Sequence, residues 1–371
     1  MAYRQVKLGE IARIIRGVSY KSSDYSSADD ANAEAFVNLK CVAADGFRRD
    51  GVKYFNGKHK PNQSVHTGDL LIANTDLTRN REVIGNSILV PELDKPNACF
   101  SMDLSKIEIL NTDELEKEFL YYYLKSPKAR WHMINHSDGS TVVHLPVSAV
   151  PELIIDLPDL EIQEKIVRIL SALDQKIELN NQQSNNITRI IKTLYKNVSG
   201  TINEKTKLAD VAKIASGKRP MGINDKDTYE VVGARDVMGF TGEYNQEPGV
   251  IITGRVGTLG VIKRYPRKIW ASDNTLIVDT EYKNYIECFL SSADFNSYNR
   301  GSTQPLITQT DLKNFVLPFE EKKCLDFEKE TTPLRNKIFT NEKENERLAN
   351  LRDALLPKLL SVEINLEKIN L

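Results

Sequence analysis

The stretch from Pro158 to Asn197, PDLEIQEKIVRILSALDQKIELNNQQSNNITRIIKTLYKN, decides the architecture. Leu170, Leu173, Ile177, Asn180, Ser184, Ile187, Ile191 and Leu194 recur at alternating steps of 3 and 4. That spacing is the seam of a two-stranded coiled coil, because a 3.5-residue repeat keeps one narrow apolar stripe turned toward a single partner helix. Pro158 stands where helix entry tolerates proline, and Asp159 and Glu161 place negative charge at the positive end of the helix dipole. No glycine or proline interrupts the 39 residues that follow Pro158. As one helix they would extend roughly 58 Å at about 1.5 Å per residue, the length of a spacer.

The same pattern occurs a second time. Adding 161 to each seam position lands on Thr331, Leu334, Ile338, Asn341, Asn345, Leu348, Arg352 and Leu355. Asn180 maps onto Asn341. A buried amide in an apolar seam costs stability but fixes register, since a slip leaves it unpaired against leucine. The two asparagines are therefore predicted at or near the seam of one antiparallel helix pair. Pro333 falls inside the second stretch, where proline removes a helix hydrogen bond and clashes with the preceding turn. With Thr332 as N-cap and Pro333 at the first helical position, the sequence predicts a break or kink near Thr331–Pro333. The main helix would then run from Pro333 to about Leu356, with Pro357 ending or bending it.

The segments before the helices repeat as well. Val6 to Gly17, VKLGEIARIIRG, returns as Thr206 to Gly217, TKLADVAKIASG. β-type runs follow in each copy: Phe36 to Val42 and Gly68 to Thr75 in the first, Tyr229 to Val237 and Gly249 to Ile262 in the second. Gly139-Ser140-Thr141 and Gly301-Ser302-Thr303 each open a closing phrase that ends in Leu-Pro, at Leu157-Pro158 and Leu317-Pro318. The order is globule, helix, globule, helix, an internal duplication. Boundaries fall at 1–158, 159–202, 203–318 and 319–371. The copies keep their openings, strand cores and closing phrases while their loops differ, as expected of one scaffold with two targets.

Composition sets outer bounds. At 371 residues, 40% hydrophobic and 27% charged, the chain is an ordinary folded protein with room for two or three domains. No apolar run is long enough to cross a bilayer, and MAYRQVKLGE does not read as a signal peptide. Cys41, Cys99, Cys288 and Cys324 are scattered, as expected of reduced thiols in a cytoplasmic protein with no membrane partner. Net charge is −1, with 19 basic and 21 acidic side chains in residues 1–158 and 15 and 14 in 203–318. Any nucleic-acid role must come from local patches or from partners.

The stretches LPDLEIQEKIVRILSALDQKIE and LRDALLPKLLS (Leu351 to Ser361), with the paired G-S-T…LP phrases, resemble the specificity subunit of type I restriction–modification systems. The resemblance covers essentially the whole chain and is most specific in the helical regions. It implies an α+β fold: two α/β target recognition domains joined by two long helices that form an antiparallel coiled coil, with pseudo-two-fold internal repeat. It also implies that each domain reads one half of a bipartite, non-palindromic double-stranded DNA site. The helices would set the spacer and dock two modification (adenine methyltransferase) subunits, and restriction subunits can join. The chain itself would be non-catalytic and carry no cofactor, with S-adenosylmethionine held by the modification subunits.

Direct inspection for chemistry agrees with a non-catalytic reading. No F-x-G-x-G or [ND]-P-P-[YF] methyltransferase phrase is present, and no P-loop. His132 and His136 have the i, i+4 spacing of zinc ligands, but no third ligand is evident beside them, so no metal is expected. Base readers are arginine, lysine, asparagine, glutamine and small hydroxyls on loops. In the first globule these are Lys21, Asn74, Thr78, Arg79, Asn80 and Arg81; in the second, Lys218, Arg219, Arg235 and Arg255. Ser140, Thr141, Ser302, Thr303 and Gln304 are candidates to hold phosphates. The rival reading is a coiled-coil structural or interaction protein with two protein-binding globular domains.

Overall fold

An apolar run can form a strand with every side chain buried only if both faces of its sheet are covered, and each globule is built on such a strand. The computed structural model describes residues 3–43, 46–78, 80–301, 304–361 and 364. The chain divides into two compact units, Met1–Gln175 with Leu348–Leu371, and Lys176–Arg347.

In the first unit, Arg4–Lys7 pairs antiparallel with Ile154–Leu157, so the globule's opening and closing strands are joined. A four-stranded antiparallel sheet follows, in the order Ala12–Arg16, Leu104–Ile109, Leu70–Ala73, Ser87–Leu89. Leu70–Ala73 is buried throughout. Leu70 and Ile72 enter the core formed with Phe119, Leu120 and Leu153. Leu71 and Ala73 enter another with Ala35, Val37 and Phe100. A second sheet runs Tyr25–Ser26, Lys53–Phe55, Glu34–Val37, Ala98–Phe100, with the last two parallel. Helices Lys117–Leu124 and Pro127–Asn135 begin at Glu116, whose carboxylate accepts from the Phe119 N–H, and at Ser126, whose hydroxyl oxygen accepts from the Ala129 N–H.

The second unit repeats this plan. Lys205–Lys207 pairs with Val316–Pro318. Its four-stranded sheet runs Lys213–Ser216, Thr275–Asp279, Ile251–Gly254, Ile262–Arg264, the same order of corresponding strands. Ile251 and Ile252 turn to different cores, as Leu70 and Leu71 do. Tyr229–Val232 lies parallel to Ile269–Ala271, the counterpart of Glu34–Val37 with Ala98–Phe100. The copies differ in the lengths of their hairpins and helices; the frame is common.

Two long helices, Leu160–Gly200 and Glu321–Leu360, contribute to both units. The expected break at Pro333 is overturned: the second helix is continuous through it and through Pro357. Thr332 is not a cap. Its hydroxyl donates to the Glu328 carbonyl and that of Thr331 to the Phe327 carbonyl, each at 2.7 Å. Thr331 is also held by Asn284, whose Nδ2 donates to the threonine Oγ1 at 3.0 Å. Phe327 and Ile338, on either side of the proline, are buried in one core. Tertiary packing on both sides of the proline, through Phe327, Ile338 and the Asn284–Thr331 bond, outweighs its local cost.

Within each unit the two helices run antiparallel. In the first, Ile166 and Leu170 share a core with Leu356 and Leu359. Arg352 donates to Asp174 at 2.8 Å, and the Tyr122 hydroxyl donates to the same carboxylate at 2.7 Å. In the second, Ile187, Ile191 and Tyr195 pack with Phe327 and Ile338. Leu173, Ile177, Leu194, Leu334, Leu348 and Leu355 are half-buried. Asn180 and Asn341, 3% and 0% exposed, lie in a polar layer. Asn341 Nδ2 donates to the Asn180 carbonyl at 3.2 Å, to Gln183 at 3.0 Å and to Ser184 at 3.1 Å. Asn180 Nδ2 donates to Glu344 and to Asn345, each at 2.9 Å.

Two outcomes follow for thermal unfolding. Pro333→Ala restores a backbone donor within an unbroken helix and should raise stability by roughly 1–2 kcal/mol, the helix gain less the entropy returned to the unfolded chain; a lower midpoint would show that the proline is required. Replacing Asn180 and Asn341 together by leucine should raise the midpoint while permitting slippage by a heptad. A lower midpoint with one register retained would contradict the role given to the amides.

Candidate nucleic-acid interface

The first globule gathers its candidate loops around one turn. Gly17 lies so close to the chain that a Cβ there would come within 2.2 Å of the Ser101 carbonyl oxygen. Only glycine permits this approach. The Gly17 N–H donates to Leu104 and the Val18 N–H to Phe100. In the turn so bound, Asp103 accepts from the Tyr20 hydroxyl at 3.4 Å and from Thr75 at 3.1 Å. The loop carrying Lys21 and the loop after Ile72 are thereby joined. Thr75–Asp76 pairs with Val143–His144, which brings in the third loop, carrying Ser140 and Thr141. That loop is closed by Asp138 and His144, which exchange backbone hydrogen bonds, and a Cβ on Gly139 would lie 2.1 Å from the Val142 carbonyl oxygen.

Asp76 organises the loop that follows it. Its carboxylate accepts from the Thr78 N–H and hydroxyl, each at 2.6 Å, and from the Val83 and Ile84 N–H groups at 2.6 and 2.7 Å. Burial opposes the charge, but these bonds hold the carboxyl below its usual range. From the other side Arg130 donates to the carbonyls of Ile84, Arg81 and Glu82. Arg81 itself is in the left-handed region, at φ 55°, and donates to the Ile134 carbonyl.

Lys21, Asn80, Ser140 and Thr141 are exposed, while Thr78 and Arg81 are half-buried. Asn74 is corrected. It is 3% exposed and donates to Ser105 at 2.8 Å, so it belongs to the core and leaves the reading set. Arg79, Ser302 and Thr303 lie outside the described residues.

The second globule has the corresponding frame. A Cβ on Gly217 would meet the Ser272 carbonyl oxygen at 2.1 Å, and the Gly217 and Lys218 N–H groups donate to Thr275 and Ala271. The Arg255 N–H donates to Asn274, and the Arg255 carbonyl accepts from Ile307. In the first copy the Asn74 N–H donates to Asp103, and the Asn74 carbonyl accepts from Leu145. Asn74 and Arg255 therefore occupy one position of a common frame with different side chains. Arg255 is half-buried, and its Nε has no partner among the described residues.

Lys218, Arg219 and Gln304 are exposed beside this turn. Gly301 is packed like Gly139, a Cβ meeting the carbonyl oxygen three residues on, and Asn299 accepts from the Gly301 and Leu306 N–H groups. Arg235 is exposed, 3.7 Å from Asp236, and follows Ala234, which packs against Gly254.

His132 and His136 do not converge on a metal geometry. His132 Nε2 lies 2.9 Å from the Ala149 carbonyl oxygen, and His136 Nδ1 lies 2.8 Å from that of His132. The positions that sequence reasoning missed are Asp76, Asp103 and Arg130, which touch loops distant in sequence. No helix among the described residues is long and apolar enough to cross a membrane.

Asp76→Asn replaces two of the carboxylate's acceptor positions by an amide donor facing N–H groups. It should cost about 2–3 kcal/mol and loosen residues 78–86 by hydrogen exchange. With its native pKa below the unfolded one, the carboxylate stabilises the fold above about pH 3.8, and that contribution falls away as pH drops through the lower native value. The variant should lack this part of the acid transition; an unchanged acid limb would contradict the assignment.

The family model for the type I restriction modification DNA specificity domain matches residues 2–189 and 203–320. The type I restriction enzyme MjaIX specificity subunit of Methanocaldococcus jannaschii is 24% identical over 314 residues, 70% of this chain and 72% of that protein. The HindI specificity subunit of Haemophilus influenzae is 27% identical over 199 residues, 52% of this chain and 40% of that one. Among solved structures, the type I restriction–modification S subunit from M. genitalium shares the fold at a TM-score of 0.58, with 16% identity and 96% of each chain covered. With its duplicated frame and two matched segments, the chain belongs to the type I restriction–modification DNA specificity family, as a specificity subunit with two target recognition domains.

Proposed function

We propose that each domain of this specificity subunit reads one half of a bipartite, non-palindromic DNA site, and that the two long helices set the number of base pairs between the halves. The observation that carries this reading is the shared frame with unlike side chains. Gly17 and Gly217 dock on equivalent turns, yet Tyr20-Lys21 follows one and Lys218-Arg219 the other. A constant scaffold with variable loops is the arrangement of a reader whose halves see different letters. Base contacts are assigned to Lys21, Asn80 and Arg81 in the first domain and to Lys218, Arg219, Arg235 and Arg255 in the second. Thr78 supports the loop through Asp76. Arg79 is assigned with its neighbours. Ser140, Thr141, Ser302, Thr303 and Gln304 are assigned to phosphates.

Members of this family are the non-catalytic DNA-recognition components of type I restriction–modification complexes, which also contain methyltransferase subunits. The helical segments are assigned to docking two modification subunits, with restriction subunits able to join. S-adenosylmethionine would be held by the modification subunits. A net charge of −1 is poorly suited to neutralising a phosphate backbone alone. The modification subunits then supply much of the cationic surface, and binding by the lone chain is weak and salt-sensitive.

Methylome mapping of cells carrying this chain with its modification subunit tests the division of labour. Inserting one heptad into both long helices should lengthen the unspecified spacer while both half-site sequences stay the same; altered half-sites at constant spacing would refute it. In the same assay Arg219→Ala should relax or abolish recognition in one half only, at about 1–3 kcal/mol per lost base contact.

A further inference from the structure

Among the described residues, Glu34, His59 and Cys99 place one donor atom each within 4.8 Å of one another. They come from separate stretches of the first domain. Glu34 opens the strand Glu34–Val37, Cys99 lies on the neighbouring parallel strand, and His59 precedes the turn Pro61–Gln63. Cys99 is fully buried, and the His59 and Glu34 side chains are 14% and 28% exposed.

The histidine's partners make this more than a cluster. Nδ1 lies 3.0 Å from the Lys60 carbonyl oxygen, which can only accept, so the ring donates there. A neutral ring then presents the bare lone pair of Nε2, 2.7 Å from the Glu34 carboxylate oxygen. A contact at that distance is satisfied by a proton shared between the two groups or by a cation bound to both. A ligating histidine commonly gives its second N–H to a backbone carbonyl in this way, which fixes the tautomer and aims the other nitrogen at the ion.

We propose that Glu34, His59 and Cys99 bind a divalent transition-metal cation, zinc by the mixture of thiolate, imidazole and carboxylate donors. Bonds of about 2.0–2.3 Å in a tetrahedral site put donor atoms roughly 3.3–3.8 Å apart. The cluster therefore needs a small opening of the histidine–glutamate pair, with donors near the 4.8 Å bound drawing in by about 1 Å, and leaves the fourth position to water. On binding, the Cys99 thiol proton and the proton bridging His59 and Glu34 pass to solvent, so uptake strengthens as pH rises. The ion fastens residues 59–63 to the sheet. Gln63 there donates to the Arg16 and Gly17 carbonyls, and Cys99 packs with Val18 in a cluster joined by Tyr20. The metal would thus brace the base of the loop that carries Lys21. The binding claim itself does not depend on what that loop reads.

The test uses the full chain, stripped with chelator, kept reduced, and titrated with Co²⁺ and then Zn²⁺. Expected is one equivalent of Co²⁺ with a thiolate-to-cobalt charge-transfer band that Zn²⁺ abolishes. Cys99→Ser should lack the band, His59→Gln and Glu34→Gln should each weaken Co²⁺ binding at least ~10-fold, and His132→Ala should leave it unchanged. A wild-type chain with no band overturns the proposal, leaving a protonated histidine–glutamate ion pair. So does a band that persists in Cys99→Ser. If Cys99→Ser fails to fold, wild-type affinity in both His59→Gln and Glu34→Gln has the same force.

Discussion

A buried amide whose N–H group is paired across the helix seam, while its Oδ1 has no partner among the described residues, is the constraint on which this structure turns. Asn341 is fully buried, and its Nδ2 reaches the Asn180 carbonyl, Gln183 and Ser184 from the opposing helix. Asn180 returns bonds to Glu344 and Asn345, and Lys176 pairs with Glu344 at 3.3 Å. Leucine against leucine would pack almost equally well one heptad away. Polar groups would not, because each slipped donor loses about 1–3 kcal/mol of desolvation without return. The layer thus converts a permissive apolar stripe into a helix pair of fixed register.

The globules solve a different problem, keeping a frame while changing its edge. Each sheet buries both faces through alternate residues of one strand, so its core tolerates little change. The copies differ in hairpins, helices and loops, among them the loops around a turn on which a glycine docks, Gly17 on Ser101 and Gly217 on Ser272. One frame position is a core amide in the first copy, Asn74, and a half-buried guanidinium in the second, Arg255. Duplication preserved the backbone hydrogen bonds at that position and left the side chain free to diverge.

What was legible in the sequence followed the range of the interactions. The seam is a local periodicity, and the amide pair could be found by adding one offset to another copy of the same pattern. The glycine-led phrases were visible because they recur. Pro333 was misread because its accommodation depends on the core that Phe327 and Ile338 enter and on Asn284, which reaches Thr331 from 47 residues away. Asn74 was misread because its burial is set by Ser105, a partner 31 residues away. Asp76, Arg130 and His59 gave no signal, since their roles exist only once distant segments are brought together.

Disulfide trapping across the seam tests the central claim most directly, since the four native cysteines are buried. Asn181→Cys combined with Asn345→Cys joins two positions now 2.8 Å apart through their side chains and keeps Asn180 and Asn341 in place. Mild oxidation should cross-link that pair efficiently and leave Asn181→Cys with Ile338→Cys, one heptad away, uncoupled. Equal trapping of both pairs would show that the helices slide, and that no fixed register exists for the rest of the account to rest on.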